Sequence, residues 1–139
     1  MPIQGHFVED LRVGQSETFT KTVSERDIQQ FAEVTGDVNP VHLDESYAAT
    51  TRFKTRIAHG MLGAGFISAV IGTKMPGPGT IYLGQTLKFM APVKIGDTVV
   101  ARVEVAAISG KRVTLKTTCS VGDTVVIDGE ATVMVPSKG

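Results

Sequence analysis

One stretch, HGMLGAGFISAVIG at residues 59–72, restricts the possible folds of this chain more than any other. Its apolar residues point in nearly every direction around a helix, whereas a surface helix carries a polar stripe. We therefore expect a helix that other structure surrounds. The apolar run at 57–72 contains His59 and several glycines, and it is shorter than the ~20 residues that span a membrane. A buried helix in a cytoplasmic protein is the prediction.

The residues that follow this helix switch to a period of two, which is typical of half-buried strands. MPGPG at 75–79 breaks the helix, and the turn sequences at 109–111 and 122–123 stand where hairpins belong. Four alternating series predict four strands: Ile81, Leu83, Gln85, Leu87 and Phe89; Val99, Ala101, Val103 and Val105; Val113, Leu115, Thr117, Cys119 and Val121; and Val125, Ile127, Ala131, Val133 and Val135.

The front of the chain predicts one strand and then helices. SETFTKTV at 16–23 alternates, and Ser24 with Asp27 forms the pattern of a helix N-terminal cap. Gly36 should end that helix, and Asp44 can cap a second, short one. The chain of 139 residues fits a single domain, 1–139. The class is therefore α+β, with an antiparallel sheet around an apolar helix.

The segment TGDVNPVHLD at 35–44 places Asp37, Asn39, Pro40 and His42 close together. Two interpretations stay open on the residues alone. Asp37 can make an ordinary turn through its side chain, with His42 packed nearby. Alternatively, the turn holds a carboxylate and an imidazole together so that they can move protons.

The motif TGD-x-NP-x-H, together with RIAHGML at 56–62, resembles the MaoC-like hydratases, and more narrowly the (R)-specific enoyl-CoA hydratases that supply polyhydroxyalkanoate synthesis. The similarity runs over nearly the whole chain, including 31–62, 76–99 and 126–136. It implies a hot-dog fold, a homodimer, and a trans-2-enoyl thioester of coenzyme A as substrate. Coenzyme A then belongs to the substrate, and no separate cofactor is expected.

Adding water to an enoyl thioester requires a base, an acid and a donor for the developing enolate oxygen. The resemblance assigns Asp37 and His42 as the acid–base pair. We take Asp37 as the principal base, although the reverse order stays open because coupled groups share their titration. Gly60, at the expected start of the central helix, is the predicted oxyanion donor, since helix N-termini favour negative charge.

Other residues receive weaker assignments. The resemblance places Ser68 beside Asp37 or the pocket wall, although a helical serine also often bonds its own helix. Asn39 is expected to shape the turn, with a contact to water or substrate left open. His59 is expected to bond a backbone carbonyl. Gly63 and Gly65 provide either close packing or room for an acyl chain.

The basic residues Arg52, Lys54 and Arg56 form either a solvated face or a contact to coenzyme A phosphates. The histidines and acids have no recognised metal-ligand spacing, so no metal is expected. A net charge of zero gives no electrostatic footprint for nucleic acid or an anionic membrane. One cysteine excludes an intrachain disulfide, and the first residues do not resemble a signal peptide.

Three alternative functions share this fold class. A 3-hydroxyacyl-ACP dehydratase would run the same chemistry in reverse on a carrier-protein thioester. A hot-dog thioesterase would need one carboxylate but no paired histidine. A non-catalytic acyl-CoA-binding module would need neither. Fold alone excludes none of them, because function depends on the site.

Overall fold

The structure, a computed structural model, describes residues 3–139. Residues 3–139 form five strands and four helices, preceded by a 3-10 turn at Val8–Asp10. In chain order these are β1 (Ser16–Thr22), α1 (Glu25–Thr35), α2 (Pro40–Leu43), α3 (Glu45–Ala48), α4 (Gly60–Thr73), β2 (Ile81–Phe89), β3 (Thr98–Ser109), β4 (Arg112–Val121) and β5 (Thr124–Met134).

The five strands form one antiparallel sheet in the order β1-β3-β4-β5-β2. Tight turns at Gly110 and Gly122 join β3 to β4 and β4 to β5, and both glycines adopt a positive φ, 62° and 57°. This conformation favours glycine, so the two predicted hairpins are confirmed. β1 and β2 are the edges of the sheet, and α4 lies across it.

The predicted caps are also confirmed. The Ser24 hydroxyl accepts from the Asp27 backbone N–H at 3.1 Å, and the Asp27 carboxylate accepts from the Ser24 N–H at 2.9 Å. Gly36 ends α1 with φ 81°. Asp44 caps α3 by accepting from the Tyr47 N–H at 3.1 Å. Each bond satisfies a backbone group that a helix end leaves unpaired.

The core forms between α4 and one face of the sheet. α4 packs mainly against β1, β3 and β4. The alternating residues of β3 and β4 are buried there, as their period of two predicts. On the helix side the buried residues are Phe66, Ile67, Val70 and Ile71.

One side of α4 is not covered. Met61 is 55% exposed, and Gly65, Ser68 and Gly72 are exposed as well. Their spacing puts them on one helix face, which we call the outer face of α4. A single sheet packs against only one side of a helix. The prediction of a helix surrounded by structure is therefore wrong within a single chain.

Among the described residues, no helix has the length and apolarity needed to cross a membrane.

Two bulges shift the predicted strand faces. In β2 the pairing is irregular between Tyr82 and Gly84, so Tyr82 instead of Leu83 shares a face with Gln85. In β5 an irregularity opposite Cys119 and Ser120 buries Val126 and leaves Val125 45% exposed. A bulge inserts one residue and reverses the alternation beyond it, and a simple period of two does not reveal this.

Candidate active site

A cavity of about 420 Å³ opens beside the first turn of α4. Its polar lining consists of Asp37, His42, His59 and Arg52. Its deeper wall is apolar and includes Phe66, Cys119, Val126 and Ile127. Burial raises the pKa of the Cys119 thiol to about 12, so this cysteine is an inert part of the wall at neutral pH. An apolar pocket with few convergent polar groups is typical of a ligand site.

The 35–44 segment is both a turn and part of this cavity. The Asp37 carboxylate accepts from the Asn39 N–H at 3.3 Å, and the Asn39 side chain accepts from the Val41 N–H at 3.1 Å. Asn39 thereby caps α2, with Pro40 at its first position. The expectation that Asn39 shapes the turn is confirmed. Sequence reasoning missed α2 itself, because four residues are too few for a periodic signal.

His42 lies in α2 and is only 8% exposed. Its Nδ1 lies 2.8 Å from the carbonyl oxygen of Ile57. Because a carbonyl only accepts, Nδ1 carries the proton, and in the neutral ring Nε2 keeps a lone pair. Burial lowers the pKa of His42 below its ordinary value of 6.5, although the Ile57 carbonyl and Asp37 act in the opposite direction. A neutral imidazole with a free lone pair can accept a proton near pH 7.

Asp37 and His42 are brought together, as the resemblance to the hydratases implied. One carboxylate oxygen of Asp37 and one ring nitrogen each of His42 and His59 lie within 4.8 Å of one another. A single water can bridge groups at such a separation. Asp37 is exposed at the cavity while His42 is buried, so the carboxylate meets solvent and the imidazole forms the wall.

His59 lies in the cavity wall and contacts both Asp37 and His42, which the sequence did not predict. Its Nε2 donates to the Asp37 carbonyl at 2.9 Å, which confirms the expected backbone bond. Its ring stacks on the His42 ring with centroids 3.9 Å apart, and its centroid lies 4.6 Å from that of the Phe31 ring. Its Nδ1 is buried and has no hydrogen-bond partner among residues 3–139. In the sequence, the His-Gly pair at 59–60 was the one signal that His59 belongs to the site. Its stacking on His42 could not be predicted, because it is a contact between residues far apart along the chain.

Asp37, His42 and His59 are also residue types that bind metals. One nitrogen of each ring is already engaged, because His42 Nδ1 and His59 Nε2 each donate to a backbone carbonyl. The expected absence of a metal stays a prediction.

Gly60 is the first residue of α4 and lines the cavity, as predicted. The first turn of a helix leaves backbone N–H groups without helical partners, and these groups can donate hydrogen bonds to a negatively charged oxygen. A Cβ on Gly60 would lie 2.7 Å from two ring atoms of Phe89. Any larger residue would therefore have to displace that ring, so glycine keeps this end of the helix accessible.

The remaining helix candidates separate clearly. Gly63 lines the cavity, and a Cβ there would lie 2.6 Å from Cδ1 of Ile127. Gly65 has no atom within 4 Å of its would-be Cβ. Ser68 is exposed on the outer face and does not line the cavity. Within one chain Ser68 therefore does not bond Asp37 or the pocket wall, because its helix face is turned away from both.

The three basic residues do not act as one cluster. Arg52 is exposed at the cavity, and its guanidinium lies 5.3 Å from the centre of the Phe53 ring. Lys54 is exposed with φ 67°. Arg56 is a correction: its guanidinium donates to the His42 carbonyl at 2.7 Å and pairs with Glu25 at 2.8 Å. These protein partners occupy the Arg56 side chain, so it is not a free phosphate contact.

Comparison with known proteins places this geometry in context. Residues 10–128 match the model of the MaoC like domain family. The (R)-specific enoyl-CoA hydratase of Rhodospirillum rubrum is 60% identical over 136 residues, covering 96% of this chain and 94% of that protein. The 3-hydroxybutyryl-CoA dehydratase of Methylorubrum extorquens is 57% identical over 134 residues, covering 95% and 85%.

A solved structure agrees with these sequence relatives. The unliganded R-hydratase PhaJ1 of Pseudomonas aeruginosa superposes with a TM-score of 0.92 at 51% identity, covering 98% of this chain and 89% of that one. The five-stranded antiparallel sheet with its central helix is thus the hot-dog fold that the sequence predicted.

Proposed function

The chain belongs to the MaoC-like family and is an enzyme of the lyase class, and we propose that it reversibly hydrates trans-2-enoyl-CoA to (R)-3-hydroxyacyl-CoA. The observation that carries the proposal is the meeting of Asp37 and His42 at the mouth of an apolar cavity. Relatives named for the hydration and for its reverse, at 60% and 57% identity, support the same reaction.

Hydration would use Asp37, His42 and the backbone N–H groups at the start of α4. A water held by Asp37 and His42 attacks C3 of the enoyl thioester, and Asp37 takes its proton. Negative charge then moves to the thioester oxygen, where the backbone N–H groups at the start of α4, including that of Gly60, stabilise it. A proton from the same pair reaches C2. Both additions occur on one face, so addition is syn. The face of C3 that meets the water sets the configuration of the hydroxyl, and the (R)-specific relative supports the (R) product.

The cavity supports an acyl thioester as substrate. Its deep wall beneath Gly63 is apolar and suits a hydrocarbon chain, while its polar groups cluster at the mouth. Arg52 lies at that mouth with its side chain exposed. In this proposal Arg52 contacts the phosphates of coenzyme A, and Lys54 is a second, outer contact.

A homodimer is part of the proposal. The edge strand β2 exposes Tyr82, Leu83 and Phe89 at 39%, 46% and 53%. An unpaired strand edge with exposed apolar side chains, together with the uncovered outer face of α4, favours association with a second copy. Ser68 would then face the partner subunit, where its predicted substrate role stays open.

The test is an absorbance assay at the enoyl-thioester band, with chiral analysis of the product. We expect crotonyl-CoA to be converted to the (R)-3-hydroxy product. A strong preference for the carrier-protein thioester would support the dehydratase alternative, and release of free thiol would support the thioesterase. Supply of polyhydroxyalkanoate synthesis, the lack of a separate cofactor and a cytoplasmic location remain predictions from the sequence.

A further inference from the structure

The segment 56–59 is bonded at several points to the segment that carries the acid–base pair. The Ile57 carbonyl accepts from His42 Nδ1 at 2.8 Å, and the Ile57 N–H donates to Val41 at 3.3 Å. Two side chains add the outer contacts, Arg56 Nε to the His42 carbonyl at 2.7 Å and His59 Nε2 to the Asp37 carbonyl at 2.9 Å. Each end of the 37–42 segment thus has its own side-chain anchor.

These anchors are needed because the pair does not hold itself together. Among the described residues, no hydrogen bond joins the Asp37 carboxylate to the His42 ring. Their relative position is set by the backbone on which each stands. The anchoring segment is itself fixed on its other side, where the Ala58 N–H donates to the Val93 carbonyl at 2.7 Å.

Histidine at 59 and arginine at 56 each lower the stability of the fold relative to an apolar residue, so we expect each to have a use that offsets this cost. His59 is 3% exposed and leaves its Nδ1 without a partner, a loss that a phenylalanine at this site would avoid. The Arg56 side chain is only 12% exposed and is paired with Glu25. Placing a guanidinium beneath a carbonyl of α2 carries a desolvation cost as well.

We propose that Arg56 and His59 are positioning residues of the acid–base pair, Arg56 acting through His42 and His59 acting through Asp37. The proposal rests on the proposed hydratase function. Neither residue supplies the transferred proton. They hold the two reacting groups in alignment, where a displacement of about 1 Å can cost roughly 100-fold in rate.

The Arg56 arm compares Arg56→Met with Glu25→Gln, which removes the ion-pair charge and leaves the bond to His42 intact. We expect Arg56→Met to lower kcat about 10- to 100-fold with little change in KM, and Glu25→Gln to change kcat only slightly. The loss should be the same for crotonyl-CoA and for crotonyl-pantetheine, which lacks the nucleotide phosphates. A raised KM for the coenzyme A substrate alone would overturn the Arg56 assignment. Should Arg56→Met fail to fold, Arg56→Lys is the second variant, because lysine keeps the charge beside Glu25 but lacks the Nε–H that donates to the His42 carbonyl.

The His59 arm compares one substitution that keeps an aromatic ring with one that keeps an N–H donor. His59→Phe keeps the ring stacked on His42 but removes the donor to Asp37, whereas the amide nitrogen of His59→Gln can replace Nε2. We expect a kcat loss of about 10- to 100-fold in His59→Phe and recovery of most of it in His59→Gln. Equal activities of the two variants at equal melting temperature would overturn the His59 assignment.

A final arm asks whether Arg56 acts through His42. In a His42→Gln background, adding Arg56→Met should cause little further loss of kcat, because residues that act as a unit are non-additive. Crystal structures of Arg56→Met and His59→Phe should show the 37–42 segment displaced by more than about 0.5 Å. Unmoved residues together with unchanged kcat overturn the proposal. If the wild type shows no hydratase turnover, the proposed function fails, while the displacement still decides the anchoring.

Discussion

The two sides of helix α4 differ in how complete they are within one chain. At the cavity end, Gly60 and Gly63 face a site in which the 56–59 segment holds both Asp37 and His42, through the His59 side chain and the Ile57 carbonyl. On the outer face, Gly65 and Ser68 are exposed, and no atom of residues 3–139 lies within 4 Å of a Cβ placed on Gly65. The two proposed acid–base groups are therefore anchored within the single chain, whereas burial of the outer face of α4 requires a second partner. The predictions below test that division.

The largest effect should come from the cavity end. Asp37→Asn and His42→Gln keep size and polarity but remove a base or alter a protonation equilibrium. We expect each to lower kcat by about 10²- to 10⁴-fold, the usual contribution of a general acid or base. Melting temperature should stay near that of the wild type. Two folded variants that each retain more than about a tenth of wild-type kcat would refute the pair.

Adding a negative charge to the outer face of α4 should weaken dimerisation. Gly65→Glu is sterically free in one chain, since nothing lies within 4 Å of its Cβ position. In a dimer packed on this face, it would bury like charges, and we expect dimer affinity to fall about 10- to 100-fold in light scattering. Val34→Glu, at an 82% exposed site on α1, is the matched control. A wild type that stays monomeric and fully active at micromolar concentration would contradict the dimer.

A smaller effect separates the two glycines of α4 by substrate length. Gly63→Ala places a methyl group against Ile127 in the cavity wall. We expect it to lower kcat/KM for long enoyl chains by about 10-fold and to affect crotonyl-CoA much less. Gly65→Ala, outside the cavity, should leave the length preference unchanged. An equal loss on every chain length that follows thermal stability would instead indicate packing alone.

The smallest expected effect is a displaced pH dependence. Burial, as the main cause, holds the pKa of His42 in the folded protein below 6.5. As pH falls below 6.5, the unfolded chain therefore takes up this proton before the native state does, and stability falls with pH in that window. We expect the acid limb of kcat/KM to lie below pH 6.5. His42→Gln should remove this contribution to pH-dependent unfolding, and an unchanged profile would contradict it.

Local patterns in the sequence predicted much of the molecule. The caps at Ser24 and Gly36, the hairpin glycines and the alternating core residues of β3 and β4 are each determined by near neighbours. The bulges at Leu83 and Val126 were missed, because one inserted residue changes the face of a strand without changing its composition. The exposed outer face of α4 was missed because apolar composition does not tell which neighbour covers a helix.

For the site, the sequence by itself determined which groups are available: Asp37 and His42 on one short turn, and a glycine at the start of an apolar helix. Only the tertiary structure decided that Arg56 bonds the His42 carbonyl, that His59 stacks on His42, and that Ser68 faces outward. The physical reason is distance along the chain. Turn and cap bonds join residues two to four positions apart, whereas these anchors join residues 14 to 22 positions apart, and only the folded backbone sets their geometry.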